Sequence, residues 1–453
     1  MPGRKTEPAA AIPPTCPGHL SAVLAIGSHF ARIDANMAYD PIDWAGVMGH
    51  EATIDRDDRT TIQWAGREDG RVIVRWRDGH RSAFHSVWLR HSRYFPAFPD
   101  RAAGSERFVR PDRPADIAPA AVEVTDDGDL RVTWSPGSDA TNFGAAWLRR
   151  HCYSSAERVR RRRPVIHWDG SLSGSPPRLS YQRARGSDAG RLALYRQVLD
   201  YGFALLHGVP VQSGTVAEVG ALFGLVRPSP YGDAAGDIRI ENVRVDPQPS
   251  VGTTMCDFQG PHTNTCWRQS LSGLVFMHCL KAHASGGESL FVDGFAVSER
   301  LRAADPEAFA LLSTVRINYG SSVDNGDEWR AFGRVITCDA DGQVVGFRFR
   351  DSSISPLDLP EDLIEPVYAA LRSLEAVLYD PALRLRRKLA PGDAVVIDNQ
   401  RVLHGRTQFD PAVCERHMQH CSVDRDLFHN NYRRLARALG EDDWNQVLPW
   451  GVC

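Results

Sequence analysis

Pro261-His262-Thr263-Asn264 and, far along the chain, Pro391-Gly392-Asp393-Ala394-Val395-Val396-Ile397-Asp398-Asn399-Gln400-Arg401-Val402-Leu403-His404-Gly405-Arg406 are the stretches that decide the fold. Gly392-Asp393 is a turn signal, and Ala394 to Asp398 is an apolar run that reads as a buried strand. A histidine, a short oxygen-bearing side chain two residues on, and a distant histidine follow the ligand order of a facial iron site. Such a site leaves positions on Fe(II) open for a co-substrate and O2. Asn264 stands where a carboxylate is expected, and Arg416 lies just beyond the second stretch.

Working outward, Ser272 to Cys279 reads as a second buried strand, Gly286 to Phe295 as turn then strand, and Gly342 to Arg350 and Glu415 to Val423 as further strands. The spacing predicts helices over Gly190 to Asp200, Val216 to Phe223, Ala296 to Leu312 with a break at Asp305-Pro306, Pro360 to Leu378 and Leu427 to Leu439. Many strands, a few covering helices and no βαβ rhythm predict an α+β, mainly β chain with an antiparallel two-sheet barrel. The expected layout is a disordered tail over 1–18, an extension without motifs over 19–59, a small β-rich module over 60–165, the barrel over 186–440 and a tail over 441–453. Residues 164–185 read as a connector, and Pro228 to Thr254 as long irregular loops that wall a site. Within the β-rich module a weak repeat is visible. Trp76, Phe84 and Trp88-Leu89-Arg90 recur as Trp134, Phe143 and Trp147-Leu148-Arg149. These tryptophans read as core, because a large aromatic on a strand is mostly a packing group.

Bulk composition narrows the function. The chain has 453 residues, 42% of them hydrophobic, with a net charge of -3. That length supports a large core, and that charge does not suggest a general polyanion binder. There is no apolar run of about 18 residues, so no membrane span is expected. The nine cysteines are scattered without a C-x-x-C pair. They read as reduced thiols in a cytoplasmic protein. The basic run Arg158 and Arg160 to Arg163 lacks interleaved aromatics. It reads as a solvated helix end or a surface paired with acids rather than a nucleic-acid contact.

Several segments together resemble gamma-butyrobetaine and trimethyllysine dioxygenases, within the taurine-dioxygenase-like Fe(II)- and 2-oxoglutarate-dependent oxygenases. They are His262-Thr263-Asn264, Met277 to Lys281, Gly286-Gly287-Glu288-Ser289, Val292-Asp293-Gly294-Phe295, Asp398 to Arg406 and Glu415 to Gln419. The resemblance runs from about residue 60 to about 440. It implies a double-stranded β-helix (jelly-roll) catalytic domain behind a small N-terminal domain, Fe(II) as metal, 2-oxoglutarate and O2 as co-substrates, a small-molecule substrate and a homodimer. By position it makes His262, Asn264 and His404 the metal ligands. Arg416 and Ser289 would hold the 2-oxoglutarate C5 carboxylate, and Met277 would line the same pocket. A planar guanidinium suits a carboxylate at the bottom of a barrel.

Three departures from the pattern bear on function. Asn264 offers a neutral amide oxygen in place of a carboxylate, so it ligates as it stands, leaves a position for another anion as in related halogenases, or marks an impaired or altered centre. The latter case admits a binding protein of the same fold. After Val87-Trp88-Leu89-Arg90 the family's cysteine cluster is replaced by His91 to Phe98, so no structural zinc is expected. The cage for a trimethylammonium group is thin: Tyr231 survives, while Thr254, Thr265 and Ser422 stand where aromatics are expected. Without aromatic faces the attraction for a quaternary amine is lost. The substrate expected is therefore small and polar and not a betaine, with Arg239, Arg268 and Trp267 near the mouth.

Overall fold

A computed structural model describes residues 58–93, 115–228, 241–244, 256–322, 328–410, 412 and 415–449. The contacts divide the chain into Met1–Asp55 and Arg56–Cys453, and every described residue belongs to the second unit. The expected tail, the extension up to residue 57, Tyr231, Arg239 and Thr254 lie outside the described residues.

Two sheets dominate. A four-stranded sheet runs in the order Gln259–His262, Val402–Arg406, Ser289–Asp293, Leu385–Arg387. A six-stranded sheet runs Arg178–Ser180, Phe203–His207, Ala394–Asp398, Leu274–Lys281, His417–Val423, Glu241–Arg244. All pairings in both are antiparallel except that of Arg178–Ser180 with Phe203–His207. Side chains of the two sheets share one core. Phe203, Cys279, Val395 and Met418 come from one sheet, and Phe291, Leu385 and Val402 from the other. The Phe203 and Phe291 rings stack at 5.8 Å. Alternation then fixes the inward residues, since successive side chains point to opposite faces.

Helices cover the outer faces. Asp188–Tyr201, Thr215–Ala221 and Arg425–Ala438 pack on Leu274, Phe276, Ala394 and Val396, which is why these central strands are apolar on both faces. Ser187 caps the first of these helices by accepting from Gly190 N–H. Gly202, at φ 77°, ends it, where a Cβ would fall within 2.8 Å of Val402 and Arg401 side-chain atoms. Gly294–Ala304, Pro306–Thr314 and Glu361–Leu378 cover Val292 and Leu403 of the other sheet.

The turn at Asp398–Arg401 ties these layers together. Asp398 accepts from Arg425 Nη2 at 2.8 Å. Arg401 meets Asp293 through Nε and Nη2 at 3.1 and 3.0 Å, and both side chains are almost fully buried. Two further N–H groups donate to the carbonyls of Asp200 and Ile166. A buried charge pair needs such additional hydrogen bonds to offset desolvation. The Val292-Asp293 and Asp398-to-Arg401 segments are therefore two halves of one structural staple.

The Trp repeat is realised as two three-stranded sheets, Ile62–Glu68, Arg71–Trp76, Arg81–His85 and Ala118–Val124, Leu130–Ser135, Ala140–Phe143, each followed by a short helix. Trp76 Nε1 donates to Ser82 Oγ at 2.8 Å and Trp134 Nε1 to Thr141 Oγ1 at 3.0 Å. The helix arginines cross over: Arg90 pairs with Asp139, and Arg149 with Asp78. Trp76, Trp134 and Trp147 are buried as expected, whereas Trp88 is half-buried and Trp64 exposed.

Two expectations need correction, and one element was not anticipated. The connector is structured: it carries the Arg178–Ser180 strand and the Tyr181–Gly186 helix, because Leu179 reaches the core beside Leu206. Glu241–Arg244, placed among loops, is the edge strand of the six-stranded sheet, paired with His417–His420. A hairpin over Ile317–Ser322 and Glu328–Gly333 lacks a signal clear enough to predict it. The basic run does pair with acids. Arg158 meets Asp341 at 2.6 Å, Arg162 meets Asp339 at 2.8 Å, and Arg163 meets Asp200 and Asp443 at 2.7 and 3.1 Å.

Candidate active site

His262 and His404 stand directly opposite each other in the register of paired strands, and their ring centroids are 4.6 Å apart. Both are buried, 5% and 7% exposed. Burial lowers both pKa values, aided by neighbouring positive groups. His404 is brought down to about 3, with His420 and Arg350 adding to burial. His262 falls well below the usual histidine range through burial, His404 and Arg350. At neutral pH both are neutral imidazoles, the form that binds a metal.

Hydrogen bonding orients one ring and leaves the other open. His262 Nδ1 lies 2.9 Å from the Gly260 carbonyl. A carbonyl only accepts, so Nδ1 carries the proton and Nε2 keeps its lone pair. Among the described residues neither ring nitrogen of His404 has a hydrogen-bond partner, and its Nδ1 is wholly buried. A buried imidazole without partners is costly unless something else completes it.

Asn264 is placed by Asn399. Asn399 Oδ1 accepts from Asn264 N–H at 2.7 Å, and its Nδ2 donates to the carbonyls of Asn264 and Ser272, each at 3.0 Å. This fully buried amide locks the backbone that presents Asn264 beside the His262 ring. Among the described residues no three His, Cys, Asp or Glu gather as a metal-holding group. The missing carboxylate is not supplied from elsewhere among them. The two imidazoles with one amide oxygen nonetheless fit a facial donor set of reduced charge.

Arg416 and Ser289 line one cavity, with Cys279, Gly287, His283 and Met418. Arg416 is 8% exposed, and among the described residues no carboxylate pairs with it. Burial, with the like charge of Arg406, pulls its pKa to about 10, so it stays cationic at neutral pH. Gly287, at φ 64°, makes this possible, since a Cβ there would stand 3.1 Å from Arg416 Cδ. The Phe409 ring lies against both Arg406 and Arg416, at 5.6 and 5.7 Å. Burial pushes the Cys279 thiol up to about 11, so it remains neutral. The cavity's free volume of about 10 Å³ is that of one water-sized sphere. Admitting a carboxylate requires the wall to yield.

Other expected site residues separate. Met277 is not part of this cavity wall; it sits across from His420, further along the inward face. Ser422 is half-buried on the same face, across from Val275. Thr265, at φ 57°, is a turn residue whose hydroxyl is occupied by Ser272. Trp267 is buried, and Arg268 stacks on Trp329 at 4.9 Å. Sequence reading missed the role of Asn399. Asn399 had a signal, a polar D-N-Q-R run ending a buried strand.

The depressed pKa values have a measurable consequence. The unfolded chain takes up protons on its histidines as pH falls below about 6.5, while the folded rings stay neutral. This pair's contribution is therefore undiminished above pH 6.5, and stability falls as pH drops from there toward about 3. Melting temperatures of metal-free protein at pH 7 and pH 5 are expected to differ, and the difference to shrink in His404→Gln.

The chain is similar to known proteins over most of its length. Residues 172–422 match the family described as taurine catabolism dioxygenase TauD, TfdA family. A gamma-butyrobetaine dioxygenase of Pseudomonas sp. (strain AK-1) is 34% identical over 359 residues, covering 78% of this chain and 91% of that protein. The gamma-butyrobetaine dioxygenase of Homo sapiens is 26% identical, covering 84% and 98%. The mitochondrial trimethyllysine dioxygenase of Gallus gallus is 28% identical, covering 71% and 75%. The chain belongs to the TauD/TfdA family and is a dioxygenase, an oxidoreductase. Enzymes of this family use Fe(II) and 2-oxoglutarate.

Proposed function

We propose that this chain oxidises, most simply by hydroxylation, a C–H bond of a small polar metabolite other than a betaine, using Fe(II), 2-oxoglutarate and O2. The four- and six-stranded sheets are read as the two halves of a double-stranded β-helix. The observation that carries the proposal is the buried His262/His404 pair, neutral and open to a cation, in the same barrel as Arg416, a buried guanidinium that no carboxylate pairs among the described residues. His262 and His404 would hold Fe(II), with Asn264 as third donor. Arg416 and Ser289 would hold the far carboxylate of 2-oxoglutarate. Bound iron with 2-oxoglutarate supplies the O2 chemistry. The chain's own work is positional. Gly260 fixes the His262 tautomer, Asn399 fixes residue 264, and the apolar inner faces exclude water.

The substrate reading rests on charge and on the lack of aromatic side chains at the two expected cage positions among the described residues. Neither Thr265 nor Ser422 offers an aromatic face. Arg350 adds positive charge near His404, and among the described residues no group of three His, Cys, Asp or Glu brings a carboxylate to the histidines. A trimethylammonium group would gain little attraction and meet like charge. The test is 2-oxoglutarate-dependent succinate formation by the full chain with Fe(II) and O2, stimulated by small polar acids or alcohols and not by gamma-butyrobetaine or trimethyllysine. No succinate above a boiled control would overturn the proposal.

The amide at position 264 favours a second reading: halogenase-like or other altered chemistry, or a binding protein with an impaired centre. Asn264→Asp separates the cases. A carboxylate restores one negative charge, so Fe(II) affinity is expected to rise by about tenfold, with wild-type protein still binding iron. Iron bound by the Asp variant alone would favour the impaired centre.

A further inference from the structure

Gly405 follows His404 on its strand, and the space a side chain would take there is filled by backbone of the neighbouring strand. Gln259 pairs with Arg406 and His262 with His404, so three steps along one strand match two along the other. That mismatch marks a β-bulge, a device that re-aims a side chain. Pro261 is buried and has no N–H to pair, which suits a bulge. The bulged backbone lies over Gly405. A Cβ at Gly405 would overlap the Gln259 carbonyl oxygen and stand 3.0 Å from both the carbonyl carbon and the carbonyl oxygen of Gly260. That Gly260 oxygen is the acceptor 2.9 Å from His262 Nδ1.

The bulge is held from other sides as well. Tyr379, at the C-terminal end of the Glu361–Leu378 helix, covers Gly260. Its hydroxyl would lie 2.6 Å from a Cβ at Gly260, and its ring carbons 3.2 and 3.3 Å. Arg384 holds Tyr379 in turn, with its guanidinium carbon 5.7 Å from the ring centre and an N–H donated to the Tyr379 carbonyl. Before the bulge, Gln259 Oε1 accepts from Arg406 Nη1 at 2.8 Å. After it, Thr263 N–H donates to the Phe349 carbonyl at 2.8 Å, and Phe349 N–H to Thr263 Oγ1 at 3.0 Å. With both ends tied, a side chain at position 405 must displace the peptide between them, the one that meets His262.

We infer that Gly405 and Tyr379 are positioning residues for His262. Gly405 admits the bulge, Tyr379 clamps it, and together they hold the Gly260 carbonyl on Nδ1 so that Nε2 keeps its lone pair for a cation. The inference rests on the proposed metal-holding role of the His262/His404 pair. The group that bonds the second nitrogen of a ligating histidine fixes its tautomer and ring direction. Here that group is a main-chain carbonyl, so the residues packed against it decide where it stands. The glycine after one histidine of the pair thus serves the other.

The test reads the tautomer directly, by nitrogen NMR of the metal-free full chain carrying isotope-labelled histidine at neutral pH. The His262 signals are those that vanish in His262→Gln. Wild-type protein is expected to show a protonated Nδ1 and a bare Nε2 on this ring. Gly405→Ala is expected to show both tautomers and to bind Fe(II) about tenfold more weakly, the cost of changes behind metal ligands, while its circular dichroism stays that of the wild type. Tyr379→Ala is expected to move His262 in the same direction. A single Nδ1–H tautomer in Gly405→Ala, or its absence from the wild type, overturns the inference. Should Gly405→Ala not fold, Tyr379→Ala decides alone in the same way. If the variants lose the single tautomer but the wild type binds no iron, the positioning of the ring stands and the metal reading falls. If the wild type binds iron and Gly405→Ala keeps both tautomer and affinity, the metal reading stands and this inference falls.

Discussion

Arg416→Gln is expected to weaken 2-oxoglutarate binding by about hundredfold or more and to remove 2-oxoglutarate-dependent succinate formation at ordinary co-substrate concentrations. Arg416 is a buried cation with no carboxylate among the described residues, held against Phe409 and beneath Gly287. Truncating one partner of a buried, hydrogen-bonded charge pair costs about 2–5 kcal/mol, and every 1.4 kcal/mol is about tenfold. The free protein pays for keeping that guanidinium out of water, so the variant is expected to lose binding without losing stability. Arg416→Lys is expected to recover only part of the affinity, because an ammonium cannot offer two parallel donors. Equilibrium binding of 2-oxoglutarate to each variant, beside its thermal melt, checks both halves. A normal affinity in Arg416→Gln would place the co-substrate elsewhere.

His404→Gln is expected to have the other large effect, loss of Fe(II) binding by at least about hundredfold. Even changes behind metal ligands cost about 10–100-fold, and here only one imidazole would remain beside an amide. The fold is expected to survive. His404 lies on a strand paired on both sides, and its ring makes no hydrogen bond among the described residues. A substitution that keeps its volume therefore removes no partner. Iron content after anaerobic loading and desalting, set beside the melting temperature, separates metal loss from unfolding.

The two sheets were legible because their strands are short apolar runs ended by Gly, Pro and Asp. Ala394–Asp398 and Leu274–Lys281 fall close to where the runs predict them. The helices follow for the same reason, down to the break at Asp305-Pro306, where Asp305 caps the second helix through Ala308 N–H. The Arg178–Ser180 strand was not legible: three residues in a Ser/Pro-rich stretch carry no period, and only pairing with Phe203–His207 makes them a strand. At the site, the quoted motifs contained His262, Asn264, His404 and Arg416. They did not disclose that Asp293 and Arg401 serve each other, or that Asn399 serves residue 264. A motif mixes chemistry with scaffolding, and only contacts sort them.

The central claim is that two neutral imidazoles, set in register on neighbouring strands, hold one metal ion. Anaerobic equilibrium titration of Fe(II) into the full chain and into the His262→Gln/His404→Gln double variant tests it most directly. The account predicts one iron per chain in the wild type and none retained by the variant. Equal iron binding by the two proteins, or none by the wild type, would contradict it.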